Sequence, residues 1–199
     1  IMTSEKITFP SHTLKISGVL ELPDDYRPGE RRAAIMMLHG FGSNKESGSC
    51  TIATRLFTQM GYVALRFDFR GCGESEGTRG KVICLEQVED TRAAVSYLAT
   101  RPEVDPRRIA VIGHSFGAAV AVYAAGVDDR IAACISCGGW GDGVKKFRRQ
   151  HSSEEAWKRA SCWRAPIPCG SGSRGACDRS RARSGACSRR RRGTYDLGG

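Results

Sequence analysis

Apolar and polar positions alternate in two different rhythms along this chain, and the switches between them lay out its elements. Residues 5–22 alternate loosely, with Ile7, Phe9, Leu14, Ile16, Val19, Leu20 and Leu22 apolar, which predicts two strands in a hairpin. A polar turn from Pro23 to Arg32 follows, and then a continuous apolar run, Ala33–Leu38, of the kind a strand buried on both faces requires. Ser43 and Asn44 are plausible helix starters. Ile52, Leu56, Phe57 and Met60 would then share one buried helical face, with Gly61 at the stop. Tyr62–Phe69 reads as the next strand, and Leu85, Val88, Val95 and Leu98 mark a second amphipathic helix. Asp105-Pro106 reads as a turn into a third apolar strand, Ile109–Ile112. A run of small apolar residues, Ala118–Ala125, predicts a helix packed tightly on a sheet, and Ile131–Cys137 predicts one more strand. Strands alternating with helices in this way predict an α/β fold: a mostly parallel sheet of about six strands flanked by helices.

After about residue 160 both rhythms stop. Trp163, Ile167, Tyr195 and Leu197 are nearly the last large apolar residues, and Arg, Ser, Gly, Ala and Cys dominate. The expected organisation is therefore a folded domain over residues 1–158 and a basic tail over 159–199, disordered or read out of frame. Residues 160–199 hold nine arginines and two acids, Asp178 and Asp196, so they carry +7 of the formal net charge of +10. The run Arg189–Arg192 offers attraction to phosphates but has no interleaved aromatic side chains for stacking bases, so nucleic acid is not the expected partner. No apolar stretch is long enough to span a bilayer, and the start lacks the basic-then-apolar pattern of a secretory signal. A cytoplasmic location with reduced cysteines is the expectation.

The candidate chemistry lies at Gly113-His114-Ser115-Phe116-Gly117. A Gly-x-Ser-x-Gly between an apolar strand and a small-residue helix is the pattern of a nucleophile elbow, in which the serine hydroxyl stands clear of the sheet. The two glycines let strand and helix pass closely, and Ser115 is the candidate catalytic nucleophile. An acyl-transfer site also needs backbone N–H donors for the oxyanion. Phe116, directly after the serine, supplies one, and Phe41 in His39-Gly40-Phe41-Gly42 at the end of the earlier strand supplies the other. In a doubly wound sheet these strand ends gather on one side.

Three stretches in order carry a resemblance: His39-Gly40-Phe41-Gly42-Ser43-Asn44-Lys45, then Arg66-Phe67-Asp68-Phe69-Arg70-Gly71-Cys72-Gly73-Glu74-Ser75, then Gly113-His114-Ser115-Phe116-Gly117. Together they resemble the α/β-hydrolase superfamily. Within it they are similar to the small feruloyl-esterase-like, dienelactone-hydrolase-like and serine-aminopeptidase-like hydrolases. The resemblance covers roughly residues 5–157. It implies acyl transfer to water from a carboxylic ester, thioester or amide of a small molecule or short peptide, through an acyl-serine, with no cofactor and no metal. It also implies a carboxylate and then a histidine after two further strands, and here the chain departs from the pattern. Only Asp142 and His151 have the right order after Ser115, and they lie where a lid would begin. The expectation is a fold lacking its last strands, with triad acid and base unidentified and activity impaired. The alternative is a non-catalytic hydrolase-derived protein with a basic tail.

The remaining histidines and cysteines read as structural. His39 and His114 belong to their turns and His12 to the hairpin, while Asp68 suits a turn-stabilising role. Cys134 and Cys137 are three apart in a strand and so point to opposite faces, which excludes a metal clamp. Cys162, Cys169, Cys177 and Cys187 lack paired spacing and a nearby histidine.

Overall fold

The computed structural model describes residues 3–162. The expected tail beyond Cys162, with its arginine run, lies outside the described residues. The chain divides after His151 into two compact units. The first is built on a six-stranded sheet in the order β1 (3–11), β2 (14–22), β4 (63–67), β3 (32–38), β5 (104–114), β6 (131–137).

Strands β1 (Thr3–Ser11) and β2 (Leu14–Leu22) form the expected antiparallel hairpin, and His12 sits in its turn at a positive φ of 52°. Strands β3 (Arg32–Leu38), β4 (Val63–Phe67), β5 (Val104–His114) and β6 (Ile131–Cys137) run parallel to one another. Their carboxyl ends, at Leu38, Phe67, His114 and Cys137, therefore open onto one side. The long β5 corrects the turn read at Asp105-Pro106. Pairing with β3 jumps from Arg32↔Val104 to Ala34↔Ile109, so the dipeptide lies in an irregularity within one strand. Proline, which cannot donate to a ladder, is tolerated at such a break.

Alternation along β3 sends Met36 and Leu38 to one face and Ile35 and Met37 to the other. Helices α2 (Cys84–Thr100) and α3 (Phe116–Val127) cover the first face, burying Val88, Val95, Leu98, Val120 and Ala124 against Phe9, Leu65, Phe67 and Val111. Leu85, expected on that face, is instead exposed, since it falls in the first turn of α2.

Helix α1 (Gly48–Gln59) covers the second face, but of the side chains its pattern suggests only Phe57 packs there. Cys50, Thr54 and Thr58 are buried, while Ile52, Leu56 and Met60 are more than half exposed. The threonines can be buried because each hydroxyl donates to a carbonyl one turn back, Thr54 to Cys50 at 2.8 Å and Thr58 to Thr54 at 3.1 Å. Self-satisfied hydroxyls mimic small apolar groups, and this turns the buried face away from Ile52, Leu56 and Met60 while keeping Phe57 on it.

The two sheet edges differ. Strand β1 carries Glu5, Lys6 and Pro10, residues that discourage pairing with a stranger. Strand β6, Ile-Ala-Ala-Cys-Ile-Ser-Cys, has no such guard and is exposed from Ala132 onward. Helix α4 (Gly143–Arg149) follows it. In the second unit, helix α5 (Glu154–Cys162) crosses the expected 158/159 boundary. It is capped by Ser153, whose hydroxyl accepts the Ala156 N–H at 3.1 Å. No described helix is long and apolar enough to cross a membrane.

Candidate active site

Ser115 joins β5 to α3 in a conformation that side chains rarely adopt, φ 56° and ψ −115°. Only one other described non-glycine residue has positive φ. Such a backbone costs of order 1–3 kcal/mol and persists only where the surroundings enforce it. The enforcement is visible on both sides. A Cβ at Gly113 would lie 2.1 Å from the Gly117 carbonyl oxygen, and one at Gly117 would lie 2.4 Å from the Leu38 oxygen. Strand and helix thus pass at backbone contact, and the Ser115 N–H is held by the Cys137 carbonyl at 2.9 Å. The half-buried Ser115 hydroxyl has no hydrogen-bond partner among the described residues.

The loop after β3 closes on this corner. A Cβ added at Gly40 would lie 3.5 Å from the Ser115 Cβ, and the Phe41 ring meets the Phe116 ring edge to face at 5.8 Å. The Phe116 N–H is the first of α3, one of the donors a helix start leaves unpaired, and the helix dipole favours negative charge there. The structure therefore brings together Ser115, Phe41 and Phe116.

The loop is braced by the end of β4, a role sequence reading assigned only loosely. His39 is buried, its Nδ1–H donating to the Gly40 carbonyl at 2.8 Å and its Nε2 accepting the Phe69 N–H at 3.1 Å. Those two bonds fix one neutral tautomer. Asp68, fully buried, accepts three bonds: from the Lys45 N–H at 2.6 Å, the Lys45 ammonium at 2.6 Å and the Glu74 N–H at 2.8 Å. Burial opposes the Lys45 charge, but the Asp68 and Glu74 carboxylates outweigh it and raise the Lys45 pKa. Gly73 makes room, since a Cβ there would lie 2.1 Å from an Asp68 oxygen. Asp68 thus holds the 70–77 turn and the 39–45 loop together, which accords with a turn-stabilising role.

Burial pushes the His39 pKa below the ordinary histidine value. The unfolded chain, with a histidine near about 6.5, then binds more protons than the native state as pH falls past that value. The stabilisation is complete above pH ~6.5 and is lost as pH drops through the depressed native pKa. Urea denaturation between pH 7 and 5 should show stability declining in wild type and a flatter profile in His39→Gln. Equal slopes would contradict this account of His39.

Asp142 and His151 are placed differently from one another. Asp142 caps α4, accepting the Lys145 N–H at 2.9 Å and pairing with the Lys145 ammonium at 3.7 Å. His151 follows the end of α4, its N–H donating to the Arg148 carbonyl at 3.2 Å. Neither is hydrogen-bonded to the Ser115 hydroxyl. His114 is exposed and shares the lining of a 160 Å³ cavity with Met37, Cys50 and Cys137. Burial raises the Cys50 thiol pKa, so it is held as an inert thiol. Cys134 and Cys137 are free, and no metal-binding cluster occurs among the described residues.

Sequence reading did not anticipate an aromatic row over the corner. Phe116 meets Trp140 at 6.0 Å, and Trp140 meets Phe147 edge to face at 5.7 Å. No local sequence signal marks it, since Phe116 opens α3, Trp140 lies in the loop after β6 and Phe147 lies within α4.

Comparison with known proteins agrees with this architecture. The crystal structure of hypothetical protein PA2218 from Pseudomonas aeruginosa superposes with a TM-score of 0.72 at 29% identity, covering 81% of this chain and 51% of that one. The quorum-quenching protein AidA of Acinetobacter baumannii is 35% identical over 65% of this chain and 42% of its own length. The polyketide transferase af380 of Aspergillus fumigatus is 40% identical over 68% of this chain and 45% of its own. The chain thus spans less than half the length of these two relatives. The family model for serine aminopeptidase, S33, matches residues 29–167, which takes in every strand from β3 onward together with the Ser115 corner. The chain has the α/β-hydrolase fold and belongs to the serine aminopeptidase S33 family of hydrolases.

Proposed function

We propose that Ser115 is the nucleophile of an acyl-transfer site that moves the acyl group of a carboxylic ester, or a related thioester or amide, to water through an acyl-serine. The observation that carries this reading is Ser115 at φ 56° between β5 and the first N–H of α3, with Gly40 against its Cβ. The strained corner is what a nucleophile elbow requires, and membership of a hydrolase family supports it. Attack by the hydroxyl forms the Oγ–carbon bond, and charge develops on the carbonyl oxygen. The Phe41 and Phe116 N–H groups receive that oxyanion, and the leaving group departs with a proton. A small-molecule ester or short peptide is the substrate class, and a cytoplasmic location belongs to the same proposal.

This chain turns substrate over slowly in the proposed scheme. A serine hydroxyl is weak without a base, and Ser115 Oγ has no hydrogen-bond partner among the described residues. The Asp142 carboxylate is engaged in capping α4. Losing the base alone costs about 10⁶-fold in kcat in a serine protease, while the oxyanion site retains roughly 10³–10⁴ over water. p-Nitrophenyl acetate turnover by wild type, Ser115→Ala and His151→Ala should be equal and near background in all three. Wild-type turnover well above Ser115→Ala, and lost in His151→Ala, would identify His151 as the base and overturn the impairment.

A further inference from the structure

Beside the Ser115 corner lies a groove of about 300 Å³ whose lining includes Ala118, Val122, Tyr123, Ser136 and Trp140. Its floor is mostly apolar, and the row Phe116–Trp140–Phe147 leads from it to α4. Val122 and Tyr123 are about half exposed although they are large and apolar. The far end of the row has the opposite character. Residues 138–150 hold four cations, Lys145, Lys146, Arg148 and Arg149, against one acid, Asp142. Lys145, Lys146 and Arg149 are exposed, Lys145 faces Asp142 at 3.7 Å, and the Lys146 ammonium lies over the Trp140 ring at 6.0 Å. Apolar floor and cationic rim are thus contiguous through Trp140.

Surface of this kind matches a molecule that is apolar at one end and negative at the other. An apolar body gains by leaving water along the aromatic row, and an anion gains at a rim with excess positive charge. A neutral ester would use the floor and leave the rim idle. We propose that the substrate of the Ser115 site is an anionic amphiphile: an acyl compound whose hydrocarbon part lies on the Phe116–Trp140 row while a phosphate-like or carboxylate group sits over Lys145 and Lys146. This rests on Ser115 as the acyl acceptor and adds the class of molecule delivered to it.

The test uses calorimetry on the full chain with decyl phosphate and its neutral counterpart decyl glucoside, both below micelle formation. Decyl phosphate should bind at one site and about fivefold more tightly than the glucoside, the scale expected for two exposed ion pairs. The preference should vanish in Lys145→Gln/Lys146→Gln and weaken in raised salt. It should persist in Arg107→Gln/Arg108→Gln, an equal step in net charge at an exposed site on β5, and in Ser115→Ala. Equal affinity for the two amphiphiles, absence of binding, multiple weak sites, or the same loss in Arg107→Gln/Arg108→Gln would each overturn the proposal. Acetylation of Ser115 on the same preparation reports on the nucleophile separately. Preferential binding without acetylation would defeat the Ser115 reading and remove the ligand's status as substrate, while acetylation without the preference would defeat the amphiphile alone.

Discussion

Gly117→Ala should lower stability by more than about 3 kcal/mol, while Gly126→Ala in the same helix should raise it. A Cβ at Gly117 would sit 2.4 Å from the Leu38 oxygen and 2.5 Å from the His39 oxygen. Both obstacles are backbone of β3 and its following loop, so no rotamer change relieves the clash. The helix must lift from the sheet or the β3 loop must move away from Ser115. Overpacking a well-filled interior costs about 1–3 kcal/mol where side chains can give way, and a collision with backbone exceeds that range. Against a typical total stability of about 5–15 kcal/mol, that is a large fraction. At Gly126 nothing lies within 4 Å of the added methyl, and helix propensity favours alanine by up to about 1 kcal/mol. Urea midpoints should therefore move in opposite directions for the two variants, with unchanged slopes where both remain two-state. Similar midpoints would mean that the close passage at Ser115 is not real.

Asp68→Ala should cost about 3–5 kcal/mol, the scale for breaking a buried pair. The fully buried carboxylate holds a Lys45 side chain that is only 4% exposed, so removing it leaves the ammonium with Glu74 alone. Two backbone N–H groups, of Lys45 and Glu74, lose their acceptor as well. Adding Lys45→Met to Asp68→Ala should recover part of the loss, because it removes the buried charge but not the orphaned N–H groups. A double variant no more stable than Asp68→Ala would show that the ammonium is not what the carboxylate compensates. Because Lys45 ends the loop that carries Phe41, the same substitution should also slacken the oxyanion side of the corner.

These residues also mark where sequence reading succeeds and fails. The strands were legible because a parallel sheet buries both faces, which leaves continuous apolar runs such as Ala33–Leu38. The Ser115 corner was legible because only glycine fits at 113 and 117, so the constraint is written in residue identity. The buried face of α1 was not, because Thr54 and Thr58 satisfy their own hydroxyls and so hide as polar residues. The Asp68–Lys45 clamp was equally opaque. Its partners lie 23 residues apart, and nothing local distinguishes a buried ion pair from two surface charges. The aromatic row joins Phe116, Trp140 and Phe147 from three successive parts of the chain, a proximity that only the fold creates.

Peptide mass mapping of the chain after exposure to excess p-nitrophenyl acetate tests the central claim most directly. Forming the acyl-serine and hydrolysing it both need a base, but an activated ester lowers the demand only on the first step. An acetyl group should therefore build up slowly, at most once per chain, and remain. The account predicts that this group maps to the peptide containing Ser115, with one equivalent of p-nitrophenolate released and none of this in Ser115→Ala. Acetylation confined to lysines, and unchanged in Ser115→Ala, would contradict the assignment of Ser115 as the acyl acceptor.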